Sequence, residues 1–182
     1  MTPGRAERSD VRPRGARMGT NPGGADLARS GLQDELKKKL PFESPEQEAM
    51  LNLARTNDTF ELAFVRLFRC HQVSPPQYNI LRILRGAGGE GLPCLEIAGR
   101  MVTCVPDITR LIDRLERAGL VARTRSDRDR RVVNVSILAK GLELLRALDE
   151  PVLELHKRLI GHLSRDELAE LNRLLVKARN PG

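Results

Sequence analysis

Apolar residues recur every three or four positions along much of the chain, which is the spacing of an amphipathic helix. This spacing predicts helices over residues 45–70, 75–84, 141–163 and 165–178. Three helices have a recognisable beginning, in which a Ser that accepts from first-turn amides is followed three residues later by Gln or Glu. These predicted N-caps are Ser44, Ser74 and Ser164. Pro151 predicts a kink or a division of the third helix, because proline lacks the amide that the helix ladder needs.

The middle of the chain carries a different pattern. Two short helices are predicted over residues 92–101 and 105–118, and so brief a turn between them is typical of a helix-turn-helix. Thr103 is the predicted N-cap of the second helix, with Pro106 in its first turn. Gly119 ends that helix in the left-handed conformation, which glycine adopts at no steric cost.

A hairpin is predicted directly after the second short helix. Residues 120–125 and 132–137 have the alternation of strands, and the connector between them consists almost wholly of charged residues. A hairpin with an arginine-rich tip after a helix-turn-helix predicts the wing of a winged helix, whose arginines enter the DNA minor groove. The alternative is a hairpin turn that serves only solubility.

Composition changes this picture only slightly. Aromatic residues form 3% of the 182 residues, so Leu, Ile, Val and Ala must build the core, which favours helices. The net charge of +7 is compatible with a polyanionic partner but is weak evidence by itself. Residues 1–40 are predicted to form a flexible basic tail, with a short helix over residues 32–40 ended by Pro41. Residues 41–182 then form one folded domain.

No other chemistry stands out in the sequence. No apolar run is long enough to span a membrane, no secretory signal is recognisable, and the three cysteines lack CxxC spacing, so a cytoplasmic protein is expected. The histidines lack metal-ligand spacing, and the cysteines are expected to be buried and inert, although oxidation of Cys104 would disturb DNA docking. We expect no catalytic site, no metal and no cofactor.

The helix-turn-helix and the wing together resemble the MarR family of winged-helix regulators. The resemblance lies in three stretches: Leu95-Glu96-Ile97-Ala98, Asp107 through Glu116 with Gly119-Leu120-Val121-Ala122-Arg123, and the Asp129-Arg130-Arg131 unit of the wing. The chain departs from the family where residues 138–141 provide no Ser or Thr cap for the long helix. It departs again at Leu92-Pro93-Cys94, where a polar cap is usual.

The resemblance implies a mainly α (α+β) winged-helix fold. A DNA-binding lobe over residues 74–138 would lie between dimerisation helices over residues 44–72 and 141–179. The implied partners are a pseudo-palindromic double-stranded operator, a second copy of the chain and a small-molecule effector. The effector would bind near Phe60, Phe64, Tyr78 and the Gly-rich turn after Leu84.

The resemblance also assigns candidate DNA contacts. Asp107 and Arg110 lie near the start of the recognition helix, where side chains face base edges. Phosphate contacts are expected of Thr109, Arg114 and Arg123, with Thr103 at the preceding turn. At the wing, Asp129 would orient Arg130 and Arg131, and Arg131 would reach the minor groove.

These features predict a sequence-specific transcriptional regulator, most simply a ligand-responsive homodimeric repressor. The alternative is a winged-helix protein without an effector, acting as a DNA-architectural or protein-interaction adaptor. A regulator protects one two-fold symmetric site, whereas an adaptor shows only salt dependence and no sequence preference.

The wing assignment predicts the effect of removing one guanidinium. Arg131→Ala should weaken DNA binding strongly in a gel-shift titration, because the variant loses a positive charge placed in the narrow minor groove. Unchanged affinity would rule out Arg131 as the groove-entering residue.

Overall fold

A computed structural model of the chain describes Met1 and residues 31–89, 91–125 and 132–180. The chain divides into two compact units, Met1–Met50 and Leu51–Gly182. The elements of the described part are α1 Gly31–Glu35, α2 Pro45–Arg69, α3 Pro75–Ala87, β1 Leu92–Pro93, α4 Cys94–Arg100, α5 Ile108–Arg117, β2 Val121–Arg125, β3 Val133–Ile137, α6 Ala139–Ile160 and α7 Arg165–Arg179.

In the first unit, α1 is shorter than the helix predicted over residues 32–40. Lys37 adopts a φ of 52°, a left-handed conformation that a helix cannot continue through. The Gln33 side chain, which is buried, donates to the carbonyl of Lys38 at 3.3 Å and closes the turn. Most of the tail predicted over residues 1–40, namely residues 2–30, lies outside the described residues, so its flexibility stays a prediction.

The predicted N-caps are present at the starts of α2, α3 and α7. Ser74 and Ser164 each form a complete capping box with the Gln or Glu three residues later. Ser44 accepts from the amide of Gln47 at 3.2 Å, but the Gln47 side chain accepts from the amide of Glu43 rather than of Ser44. Each cap satisfies amides that have no partner within the helix.

Pro151 does not divide the C-terminal helix, so that part of the prediction is wrong. Helix α6 continues through it from Ala139 to Ile160. Leu148, Val152 and Leu155 are buried on either side of the proline, and this burial stabilises the helix despite the missing hydrogen bond.

The sheet has three strands in the order β1-β3-β2, all antiparallel. Residues 92–93 were predicted to begin a helix, but they pair with β3, with Leu92 opposite Val135. Gly91 makes this pairing possible, because its φ is +69° and a Cβ there would lie 2.6 Å from the carbonyl oxygen of Val135. The first helix of the helix-turn-helix is therefore α4, which begins at Cys94.

One apolar core joins the helices of the second unit to the sheet. The fully buried side chains come from α3, α4, α5, α6, β2 and β3, and all of them are aliphatic, as the low aromatic content predicts. They are Ile80, Leu81, Leu84, Ile97, Ile112, Leu115, Val121, Val135, Leu145 and Leu148.

The start of α6 lies directly against the end of α5. Leu138 donates its amide to the carbonyl of Leu120 at 2.9 Å. A Cβ on Gly141 would lie 2.5 Å from that same carbonyl oxygen, so only glycine allows this approach. The long helix α6 is thereby fixed to the segment that follows α5.

Two glycine substitutions should distinguish the effect of this close contact on stability from the effect of alanine's higher helix propensity. Gly141→Ala should lower the free energy of unfolding by about 1–3 kcal/mol, because the methyl group would overlap backbone that cannot move freely. Gly86→Ala, on an exposed face of α3 with open space around it, should raise the free energy of unfolding by about 0.5–1 kcal/mol. Urea titrations measure both. Equal stabilisation by the two alanines would contradict the close contact.

Candidate nucleic-acid interface

The second helix of the helix-turn-helix, α5, begins at Ile108 with Asp107 as its N-cap. The Asp107 carboxylate accepts from the amide of Arg110 at 3.0 Å. The prediction that Thr103 caps a helix starting at residue 105 is wrong. Pro106 explains the later start, because a residue before proline is driven out of the helical region.

One face of α5 is apolar and the opposite face is basic. Ile112 and Leu115 are fully buried, whereas Arg110, Arg114 and Arg117 are exposed. The arginines are spaced by four and three residues, which places them on one side of the helix. Such a row of guanidinium groups is suited to the phosphates and base edges of a DNA groove.

Asp107 also orients the first of these arginines. Its second carboxylate oxygen lies 2.8 Å from Nε of Arg110, whose side chain remains 79% exposed. The ion pair is made through Nε, and most of the Arg110 side chain remains accessible to a partner. The predicted base contact of Asp107 itself stays a prediction, since both of its oxygens are engaged with Arg110.

The C-terminal end of α5 is closed by glycine and by a lysine from another helix. Gly119, with a φ of +70°, donates to Glu116, and Leu120 donates to Leu115, which together form a Schellman motif. Lys140 Nζ donates to the carbonyl of Ala118 at 2.8 Å, and its charge is favourable at a helix C-terminus. Sequence reasoning missed Lys140, because no local pattern connects residues 22 positions apart.

Arg123 joins strand β2 to α5. Its guanidinium donates to Asp113 at 2.6 Å and to Glu116 at 2.5 Å, with only 24% of the side chain exposed. Burial, which acts to lower the pKa of Arg123, is outweighed by the hydrogen bonds to these two carboxylates, so that pKa lies above its ordinary value. The predicted phosphate contact of Arg123 stays a prediction. In the structure its guanidinium links strand β2 to Asp113 and Glu116 of α5.

The wing is described up to its tip. Strands β2 and β3 pair from Val121 opposite Ile137 to Arg125 opposite Val133. Asp129, Arg130 and Arg131, predicted to act at the tip, lie outside the described residues. Of the other predicted contacts, Thr103 and Thr109 are exposed.

A cavity of about 430 Å³ lies beside the helix-turn-helix. Its wall contains all three residues predicted to bind an effector, Phe60, Phe64 and Tyr78. The described residues of the Gly-rich turn after Leu84, which was predicted to take part, are not in the wall. The remaining lining residues are Asn57, Glu61, Phe68, Pro75, Pro76, Asn79, Arg82, Val102, Thr103, Val152 and His156.

Aromatic contacts organise one side of the cavity. The Phe68 and Tyr78 rings stack at 4.4 Å between centroids, and Phe64 lies 5.8 Å from Phe68 and 5.4 Å from His156. Arg82 donates to the Tyr78 hydroxyl at 3.1 Å. The cavity therefore presents flat apolar walls with one guanidinium close by, which suits a small aromatic molecule.

Comparison with known proteins gives the same assignment as the geometry. A model of the MarR family matches residues 73–133. A MarR transcription factor from Planctomyces limnophilus is similar in structure, with 49% identity, a TM-score of 0.59, and coverage of 74% of this chain and 98% of that one. YkoM of Bacillus subtilis (strain 168), an uncharacterized HTH-type transcriptional regulator, is 31% identical over 77% of this chain and 92% of its own. The chain belongs to the MarR family.

The MarR-family chain also shares its fold with a protein whose structure was determined in complex with DNA. MepR of S. aureus in complex with DNA has a TM-score of 0.65 and 21% identity, and the match covers 71% of this chain and 94% of MepR. At that identity the likeness concerns the fold alone. Membership of the family makes the chain a DNA-binding transcription regulator.

Three further observations concern the cysteines, metal ligands and helices of the MarR-family chain. Cys70 and Cys104 are exposed and Cys94 is half-buried, so the expectation of buried cysteines is wrong. Within the described residues, no group of three or more His, Cys, Asp or Glu side chains is placed to hold a metal ion. Nor does any helix of that part combine the length and the low polarity that crossing a bilayer requires.

Substitution of Arg123 tests whether its ion pairs with Asp113 and Glu116 stabilise the fold. Arg123→Ala should lower the free energy of unfolding by about 1–2 kcal/mol, because two half-buried carboxylates lose their shared counter-ion. Arg117→Ala, on the exposed face of α5, should leave the free energy of unfolding within about 0.5 kcal/mol of wild type. Denaturant titration of both variants measures this. Unchanged stability of Arg123→Ala, with a shallower salt dependence of DNA binding, would favour the phosphate contact instead.

Proposed function

We propose that this chain is a homodimeric repressor that binds a pseudo-palindromic operator and leaves it when a small effector binds. The observation that carries the proposal is the row of exposed arginines on α5, a helix capped at both ends and braced by Arg123. Repression is the simplest outcome, because a dimer bound across a promoter excludes polymerase from the same DNA.

In this proposal α5 lies in the major groove. Arg110 is near its N-terminus, is oriented by Asp107, and has the fork of donors that pairs with O6 and N7 of guanine. Thr103, Thr109 and Arg114 hold phosphates, which set the register without reading sequence. At the wing, Asp129 orients Arg130 and Arg131, and Arg131 enters the minor groove.

The dimer is supported by apolar surface that the chain leaves uncovered. Helix α7 has 15 residues and none of them is buried within the chain. A helix with so little burial needs another surface for its stability. A second copy of the chain would provide that surface and would also give the assembly two helix-turn-helix units. The exposed large apolar side chains on α2, α6 and α7 are Met50, Leu51, Leu53, Leu62, Val65, Leu153, Leu174 and Val176.

The effector is proposed to occupy the aromatic cavity that contains Phe60, Phe64 and Tyr78. A volume of about 430 Å³ lies within the range of small-molecule sites. An effector that binds better to one arrangement of the dimer than to another shifts the spacing of the two recognition helices. This function requires access to the chromosome and no catalytic step, so we propose a cytoplasmic, non-enzymatic protein.

Selection of DNA fragments by the purified full-length protein tests the proposal. The expected result is a two-fold symmetric sequence, with half-sites about one helical turn apart, and a footprint of the same symmetry. Recovery of fragments with no shared sequence, bound with salt dependence only, would contradict the proposal and favour the architectural adaptor.

A pair of substitutions on α5 tests the division between base and phosphate contacts. Arg110→Ala should cost about 1–3 kcal/mol on the selected site and relax the preference for one base, because a bidentate pair is lost. Arg114→Ala should weaken binding to all sequences alike and lower the salt slope by about one. Competition titrations with single-base variants of the site distinguish the two effects. Uniform loss in Arg110→Ala would make Arg110 a phosphate contact.

A further inference from the structure

The two ends of α5 are held in different ways. At the C-terminal end, the Gly119 turn, Lys140 and the paired Arg123 connect the helix to α6 and β2 through directional contacts. At the N-terminal end, the connecting segment 102–107 is irregular. Among the described residues, one hydrogen bond joins that segment to another helix: the Val102 amide donates to Oδ1 of Asn79 at 3.0 Å.

Burial holds little of that segment in place. Val102 is 85% exposed, Thr103 and Cys104 are exposed as well, and only Val105 is half-buried. Asn79, by contrast, belongs to α3, and its neighbours Ile80 and Leu81 are fully buried in the core. Apolar packing of α5 is non-directional, whereas a hydrogen bond to a rigid helix specifies a position.

The same contact forms part of the cavity wall. Asn79, Val102 and Thr103 line the cavity together with the aromatic side chains. An occupant placed there lies beside both partners of the hydrogen bond. Because α5 is about 15 Å long and anchored at its far end, a displacement at residue 102 is converted into a tilt of the end that carries Arg110.

We propose that Asn79 is a positioning residue for DNA binding. Its side-chain amide holds segment 102–107, and with it the base-reading end of α5, at the place set by α3. An occupant of the cavity alters DNA binding through this hydrogen bond, and that second statement rests on the effector role proposed above.

Three full-length variants test the positioning role without any ligand. Asn79→Leu removes the acceptor and keeps the size of the side chain, whereas Asn79→Asp keeps an acceptor oxygen. Asn57→Leu is the matched control, because Asn57 lines the same cavity from α2. Amide hydrogen exchange at Val102 in the free protein and affinity for the selected DNA site are the two measurements.

The expected pattern is specific to Asn79. In Asn79→Leu the amide hydrogen of Val102 should exchange with solvent about ten-fold faster than in wild type. The same variant should bind DNA about five- to ten-fold more weakly, as expected for one lost hydrogen bond. Asn79→Asp and Asn57→Leu should resemble wild type in both measurements. Protection of core amides should be unchanged in all three, which separates a local role from general destabilisation.

Wild-type exchange and affinity in Asn79→Leu would overturn the proposal, as would equal loss in Asn79→Asp. Because the exchange measurement uses free protein, a failure to select any operator would contradict the proposed function without affecting the test of the Val102 contact.

The second statement is tested with 8-anilinonaphthalene-1-sulfonate, a fluorescent aromatic anion, as the probe. In wild type the probe should bind, speed exchange at Val102 and weaken DNA binding. In Asn79→Leu it should still bind but weaken DNA binding no further. An equal effect of the probe on both proteins would overturn the route through Asn79, and a bound probe without effect on wild-type DNA binding would overturn the regulatory use of the cavity.

Discussion

Burial of one apolar stripe of α5 is the constraint on which the DNA-binding part of the chain, the helix-turn-helix of α4 and α5, depends. Ile112 and Leu115 are fully buried in a core shared with α3, α6 and the sheet. Because a helix turns through 3.6 residues, burying this stripe directs the arginines on the opposite side to solvent. Each fully buried Leu or Ile contributes about 1.5–3 kcal/mol, which is more than the exposed ion pairs of the same helix supply. Packing therefore decides which face of α5 is available to DNA.

The charged side chains around α5 have two different tasks. Arg110, Arg114 and Arg117 are exposed and free of the core, whereas Arg123 and Lys140 are used to hold elements together. A guanidinium between two carboxylates fixes the angle between wing strand and helix, and a lysine on Ala118 fixes the helix end to α6. The exposed arginines are thus available for the DNA contacts proposed above, whereas Arg123 and Lys140 hold elements of the fold together.

The cavity lies where this construction is weakest. Directional contacts hold the C-terminal end of α5, and the Asn79 contact holds the N-terminal end beside the aromatic wall. Elements with few directional contacts move at the lowest energetic cost. This arrangement suits regulation by the proposed effector, because an occupant of the cavity contacts the N-terminal end of α5, the end that moves at the lower energetic cost.

Local physical chemistry determined much of this protein from the sequence alone. Ser and Gln or Glu spacing set the starts of α3 and α7, Gly119 the end of α5, and the apolar stripes most of the core. The strand at Leu92, the role of Lys140 and the pairing of Arg123 were decided by tertiary structure, because their partners lie seven to more than forty residues away. The start of α5 at Ile108 followed from a local conflict between Thr103 and Pro106, which the fold resolved through Asp107. Helix caps and periodicity depend on neighbours in sequence, whereas the use of each charge depends on what the fold brings beside it.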